Sequence, residues 1–120
     1  MKQRINRHSE GVFIIAATPF SENGELDLLS TDLLVDFYLN SGVSGMTILG
    51  IMGEAQKLTA EESITFASHV LNRVEGRIPV IVGVSGASLD NMKRLKIWLW
   101  NWVQQVLWWH QCLVLAPKQN

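Results

Sequence analysis

Three short, almost unbroken apolar runs constrain this chain more than any other feature. They are "GVFIIAAT" at 11–18, "GMTILG" at 45–50 and "IPVIVGV" at 78–84. Runs of that length without polar alternation read as strands buried on both faces, the habit of a parallel sheet covered by helices. Between them the spacing turns helical. Residues 28–41 put Leu34, Phe37, Tyr38 and Ser41 on one side, and Gly42 follows where a helix C-cap glycine belongs. Thr59, with Glu62 three residues on, is a capping-box pair. It opens a helix that turns Ile64, Ala67, Val70, Leu71 and Val74 inward and closes at Gly76. Ser88 offers an N-cap for a third helix running through Leu95. The order β-α-β-α-β-α with short connections predicts an α/β fold with a parallel sheet and right-handed crossovers.

Composition removes several classes of function. A formal net charge of −1 leaves no basic field for nucleic acid. The longest apolar runs fall far short of the roughly 20 residues that span a bilayer, so no membrane partner is expected. Residues 1–10 form a polar leader without the apolar centre of a secretory signal. One cysteine, Cys112, permits no internal disulfide, which suits the cytoplasm. At 120 residues there is room for one modest domain.

In parallel α/β folds, ligands meet the loops at the carboxyl ends of the strands. Those loops are "TPF" after the first strand, "GIMGEAQKL" after the second and "VSGAS" after the third. The second is the most distinctive. Gly50 and Gly53 let the backbone turn tightly and bare its N–H groups, which suit a carboxylate, while Glu54 is placed to accept from nearby backbone. A strand-to-helix turn with no ligand accounts for the same spacing.

The TPF, NG-(hydrophobic)-D, G-x-x-GE and IPV(I/V)-x-G elements occur in this order over residues 10–95. Together they resemble the opening of the dihydrodipicolinate synthase / N-acetylneuraminate lyase family, the Schiff-base class I lyases. The resemblance implies a partial (β/α)8 TIM barrel, its first three βα units, followed from 96 to 120 by an irregular Trp-rich tail. It implies that the backbone of Gly50, Ile51, Met52 and Gly53 cradles the carboxylate of pyruvate or a related 2-oxo acid, with Glu54 and Thr18 supporting the loop. It implies no cofactor, no metal and homo-oligomeric full-length relatives. Members of the family usually place two hydroxyl residues between the paired glycines, one of them in a proton relay. Ile51 and Met52 stand there in this chain.

Two catalytic parts have no counterpart. The family's Schiff-base lysine lies on the sixth strand and its proton-shuttling tyrosine follows a central strand. Lys2, Lys57, Lys93, Lys96 and Lys118 all lie outside apolar strands, where desolvation would free an amine to attack a carbonyl. Tyr38 falls on the first helix. His8, His69, His110 and Cys112 lack the further ligands of a zinc site. No catalytic residue is therefore expected, and the chain alone is expected to be inactive.

Five tryptophans crowd the tail, Trp98, Trp100, Trp102, Trp108 and Trp109, after 97 residues with none. Tryptophan has a single codon, TGG, so each one fixes three bases of the message. Read from the third base of every codon, the Trp100/Asn101 junction must encode Glu and Asn101/Trp102 must encode Leu. Trp102/Val103 becomes Gly, Trp108/Trp109 Val and Trp109/His110 Ala. Permitted codons for the rest turn "WLWNWVQQVLWWHQ" into "VMELGAAGVMVAP", a helix end, a glycine and a fresh apolar strand. The tail is therefore expected to be frameshifted. The alternative is a non-enzymatic protein whose C-terminal helix aligns Leu95, Trp98, Trp102, Val106 and Trp109 on one face, binding a membrane interface or a partner.

Overall fold

The computed structural model describes residues 5–84, 89–105 and 112–115. Its strands are β1 (Phe13–Ile15), β2 (Gly45–Ile48), β3 (Val80–Gly83) and β4 (Cys112–Leu115). The helices are α1 (Leu28–Asn40), α2 (Ala60–Val74) and α3 (Leu89–Gln105). The strands form one parallel sheet in the order β1-β2-β3-β4. Sequential order with right-handed crossovers lays every helix on the same side of the sheet.

Register shows how the sheet divides its side chains. Ile14 is level with Met46, and Met46 with Val80. Met46, Ile48, Val80 and Val82 are buried, and they pack with Phe66, Val70 and Val74 of α2 and Leu95 and Leu99 of α3. The intervening row, Ile15, Thr47 and Ile81, turns away from the helices, and Ile15 is 47% exposed. β1 is thus covered on one face only, where the sequence predicts burial on both. An apolar run encodes burial on both faces of a closed barrel, and no layer covers the second face among the described residues.

The helices begin and end as their caps dictate. In α2, the Thr59 hydroxyl accepts from the Glu62 N–H at 3.1 Å and the Glu62 carboxylate accepts from the Thr59 N–H at 3.0 Å, the reciprocal box expected from sequence. α2 ends on two left-handed residues, Glu75 (φ 52°) and Gly76 (φ 69°). α1 starts on Asp27, whose carboxylate accepts from the Ser30 N–H at 2.9 Å. Its inward residues are Thr31 and Val35, and Phe37 is 64% exposed. The sequence reading grouped Phe37 with Leu34, Tyr38 and Ser41 on one side, and of these Tyr38 packs against the core. α1 is apolar nearly all round, so periodicity alone does not select its buried face.

The tail departs from the irregular segment expected. α3 continues past residue 95 to Gln105, and Cys112–Leu115 adds a fourth parallel strand, with Val80 level with Cys112 and Gly83 with Leu115. β3 otherwise presents a bare row of N–H and C=O groups, and a short apolar segment within reach satisfies it. Within α3, Met92, Leu95 and Leu99 are buried, Trp98 packs at the rim of the core and Trp100 is 64% exposed. Ser88, Val106, Trp108, Trp109 and His110 lie outside the described residues. No described helix is long and apolar enough to cross a membrane.

Candidate carboxylate-binding site

β2 delivers the chain to the loop at its carboxyl end. Leu49, fully buried, has φ of 56°, and Glu54 has φ of 53°. The two left-handed residues bracket the "GIMG" stretch, whereas Gly50 and Gly53 have no positive φ. A leucine in this region costs roughly 1–2 kcal/mol, so packing around it must hold the bend. Sequence reasoning missed Leu49, because nothing in its side chain announces a left-handed backbone.

Gly53 serves close packing. A Cβ there would lie 3.2 Å from the Ala16 carbonyl oxygen, 3.2 Å from the Thr18 hydroxyl and 3.3 Å from the Leu49 nitrogen. Thr18, buried at the end of the first strand segment, donates its hydroxyl to the Gly53 carbonyl at 2.6 Å. Gly83 on β3 is equally constrained, since a Cβ would collide with the Leu49 carbonyl. Three strand ends therefore meet at the base of the loop. Thr18 and Gly53, both picked from sequence, stand together there.

The tip is open. Ile51 is 84% exposed and Met52 67% exposed. The Glu54 N–H donates to the Ile51 carbonyl at 3.0 Å and the Ala55 N–H to the Gly50 carbonyl at 3.4 Å, closing the turn. The N–H groups of Ile51, Met52 and Gly53 donate to nothing among the described residues. Successive unpaired amides on a turn form a concavity of partial positive charge that suits an anion. The Glu54 carboxylate is engaged by a cation rather than by backbone N–H groups of the loop. It pairs with Lys57 at 2.7 Å, on the short 3-10 turn Ala55–Lys57 that leads to α2.

Of the remaining candidates, Lys57 belongs to the end of this loop and the others lie elsewhere. Lys57 is taken up by Glu54, and Lys93 and Lys96 are exposed on α3. Tyr38 packs against the core from α1, with its ring centroid 6.1 Å from that of Phe37. His8 lies in the leader, accepting from the Arg7 side chain at 3.1 Å. His69 meets Asp32 at 2.7 Å across the α1/α2 seam. A groove on that outer seam is lined by Asp32, Asp36, His69, Arg73 and Arg77, and its side chains pair with one another, His69 with Asp32 and Arg73 with Asp36. Its chemistry is that of two helices held together. Lys2, Lys118 and most of the "VSGAS" loop lie outside the described residues, and no group of three metal-binding side chains stands among the described ones.

Comparison with known proteins follows the same boundaries. Residues 8–95 match the sequence model of the dihydrodipicolinate synthetase family. The 4-hydroxy-tetrahydrodipicolinate synthase of Marinobacter nauticus is 40% identical over 78 residues, which are 65% of this chain and 27% of that enzyme. The crystal structure of dihydrodipicolinate synthase from Rhodopseudomonas palustris superimposes with a TM-score of 0.70 at 42% identity, over 77% of this chain and 30% of that one. A prophage protein of the same family from E. coli K12, solved in complex with pyruvate, gives a TM-score of 0.72 at 29% identity, over 89% of this chain and 34% of that one. The chain thus spans about a third or less of the length of these relatives.

Proposed function

The chain belongs to the dihydrodipicolinate synthetase family, and we propose that it carries the carboxylate cradle of a Schiff-base lyase without the amine that performs the chemistry. The observation that supports this most is the run of N–H groups at Ile51, Met52 and Gly53 with no partner among the described residues, at the carboxyl end of a parallel strand. A 2-oxo acid such as pyruvate offers a carboxylate to such amides, and the loop is held by the Thr18 hydroxyl and the close contacts of Gly53. Its carbonyl then needs a neutral amine in an apolar pocket and a proton donor beside it. The described lysines are exposed or paired, and Ile51 and Met52 offer no hydroxyl to a proton relay. Binding without turnover follows, in the cytosol, where such acids are soluble metabolites.

The tail is the second part of the proposal. Residues from about 96 onward are read out of frame, and the message in the shifted frame continues the family. Burial along α3 supports this. Trp100 is 64% exposed, and the shifted reading places a forced Glu there, while a permitted Met replaces the fully buried Leu99. The interfacial-helix alternative would need Leu95 and Trp98 on the free face, and both pack against the core. Coding DNA beyond codon 95, read in all three frames, tests the proposal. The shifted frame should continue into a strand carrying a lysine, preceded by a tyrosine-containing motif. Stop codons throughout that frame, or unrelated sequence, would refute it.

A further inference from the structure

The loop after β2 carries a reactive side chain to which the carboxylate cradle gives no work. Met52 stands exposed at the tip, whereas Met46 of β2 and Met92 of α3 are buried. Its backbone N–H lies between those of Ile51 and Gly53, and none of the three has a partner among the described residues. The thioether sulfur is only a weak acceptor and leaves those amides unanswered. A short stem of freely rotating bonds tethers it to them. Access does not rest on exposed area alone. A loop that takes a carboxylate from solution also admits a molecule as small as hydrogen peroxide.

We propose that Met52 is a site of reversible oxidation by peroxide, and that its sulfoxide closes the cradle from within. In this step a lone pair on Met52 Sδ attacks one oxygen of hydrogen peroxide, and the O–O bond breaks. Sulfur is oxidised to the sulfoxide and the peroxide is reduced, its second oxygen leaving as water with both protons. The new S=O oxygen carries partial negative charge and accepts hydrogen bonds. It therefore competes with an incoming carboxylate for the same partly positive turn. The competition is intramolecular, so one internal hydrogen bond is enough to weaken an anion arriving from solution. Ile51, its exposed neighbour, has no sulfur to oxidise. The blocking effect rests on the carboxylate reading of the loop, while the oxidation and its capture of the amides rest on Met52 and the turn alone.

Peroxide titration of the 120-residue chain, read by peptide mass mapping and by amide NMR, is the test. Met52 should gain one oxygen before Met46 or Met92 does, and mapping separates it from oxidation at Met1 or Cys112. The amide signals of Ile51, Met52 and Gly53 should move downfield as the sulfoxide forms. Pyruvate should then bind about tenfold more weakly, the ratio that one internal hydrogen bond of ordinary strength supplies. Methionine sulfoxide reductase should reverse both changes. In Met52→Leu, peroxide should move none of the three signals. Oxidation of Met46 or Met92 ahead of Met52 overturns the inference. So does a Met52 sulfoxide that leaves the three amides where they were, or one that leaves existing pyruvate binding unchanged. Shifts that persist in Met52→Leu overturn it as well, since the acceptor then lies elsewhere. If the unoxidised chain binds no pyruvate while its amides still answer to the sulfoxide, the carboxylate reading fails and the oxidation site stands.

Discussion

Glu75 shows how much a single backbone angle matters at the surface. It caps α2 with φ of 52°, is exposed, and donates its N–H to the Leu71 carbonyl at 3.1 Å. A non-glycine residue carries a steric cost in that region that glycine escapes. Glu75→Gly should therefore stabilise the chain by about 1 kcal/mol. Urea unfolding should show a higher midpoint at unchanged slope, and a lower midpoint would mean that the glutamate side chain makes a compensating contact. Two carboxylates contribute to the acid response. The Ser30 backbone N–H, aided by its hydroxyl, holds Asp27 below the usual carboxylate value, and the hydrogen bond from the Arg73 guanidinium does the same for Asp36. A depressed native value stabilises the fold above the unfolded value of 3.8 and is lost as pH falls through the native one. Stability should hold from neutrality to about pH 4 and decline below it. Asp36→Asn should flatten part of that decline, and an identical acid limb in the variant would show that the Arg73 pair is not its source.

Among the elements, α2 has the most strongly determined start. Its box satisfies two backbone groups that a helix otherwise leaves open, so Thr59→Ala should cost about 1 kcal/mol. Because Thr59 and Glu62 act on each other's backbone, Thr59→Ala combined with Glu62→Ala should cost less than the two changes added, as chemical unfolding of the four variants would show. Strict additivity would mean that the two residues do not act on each other in solution. α2 was also the most legible element, since Ala67, Val70, Leu71 and Val74 are inward both by period and in the fold. α1 was less so. Leu29, Leu33 and Phe37 are 74%, 67% and 64% exposed, and a helix apolar on several sides hides its inward face from any periodicity argument. The loop after β2 was legible as a tight turn through Gly50 and Gly53, and Thr18 holds it through the Gly53 carbonyl. The bend that makes it, at Leu49, is a tertiary effect with no sequence signature. β4 was invisible for a similar reason, because a strand recruited by a bare edge needs only four apolar residues in reach.

At the scale of the whole molecule, the family barrel needs about 250 residues and eight strands, and this chain supplies four strands with helices on one side. The loop after β2 is fixed at its base by the Thr18 hydroxyl and by close approach at Gly53 and Gly83, which is what the proposed cradle requires. An amine is not supplied in that way, since it needs an apolar strand to bring it beside the bound carbonyl. A cradle without an amine is the central claim, and reductive trapping tests it most directly. The 120-residue chain is incubated with pyruvate and borohydride, and its intact mass is read. The account predicts the unmodified mass, with no adduct at Lys2, Lys57, Lys93, Lys96 or Lys118. A stoichiometric reduced adduct mapped to one of these lysines would contradict it.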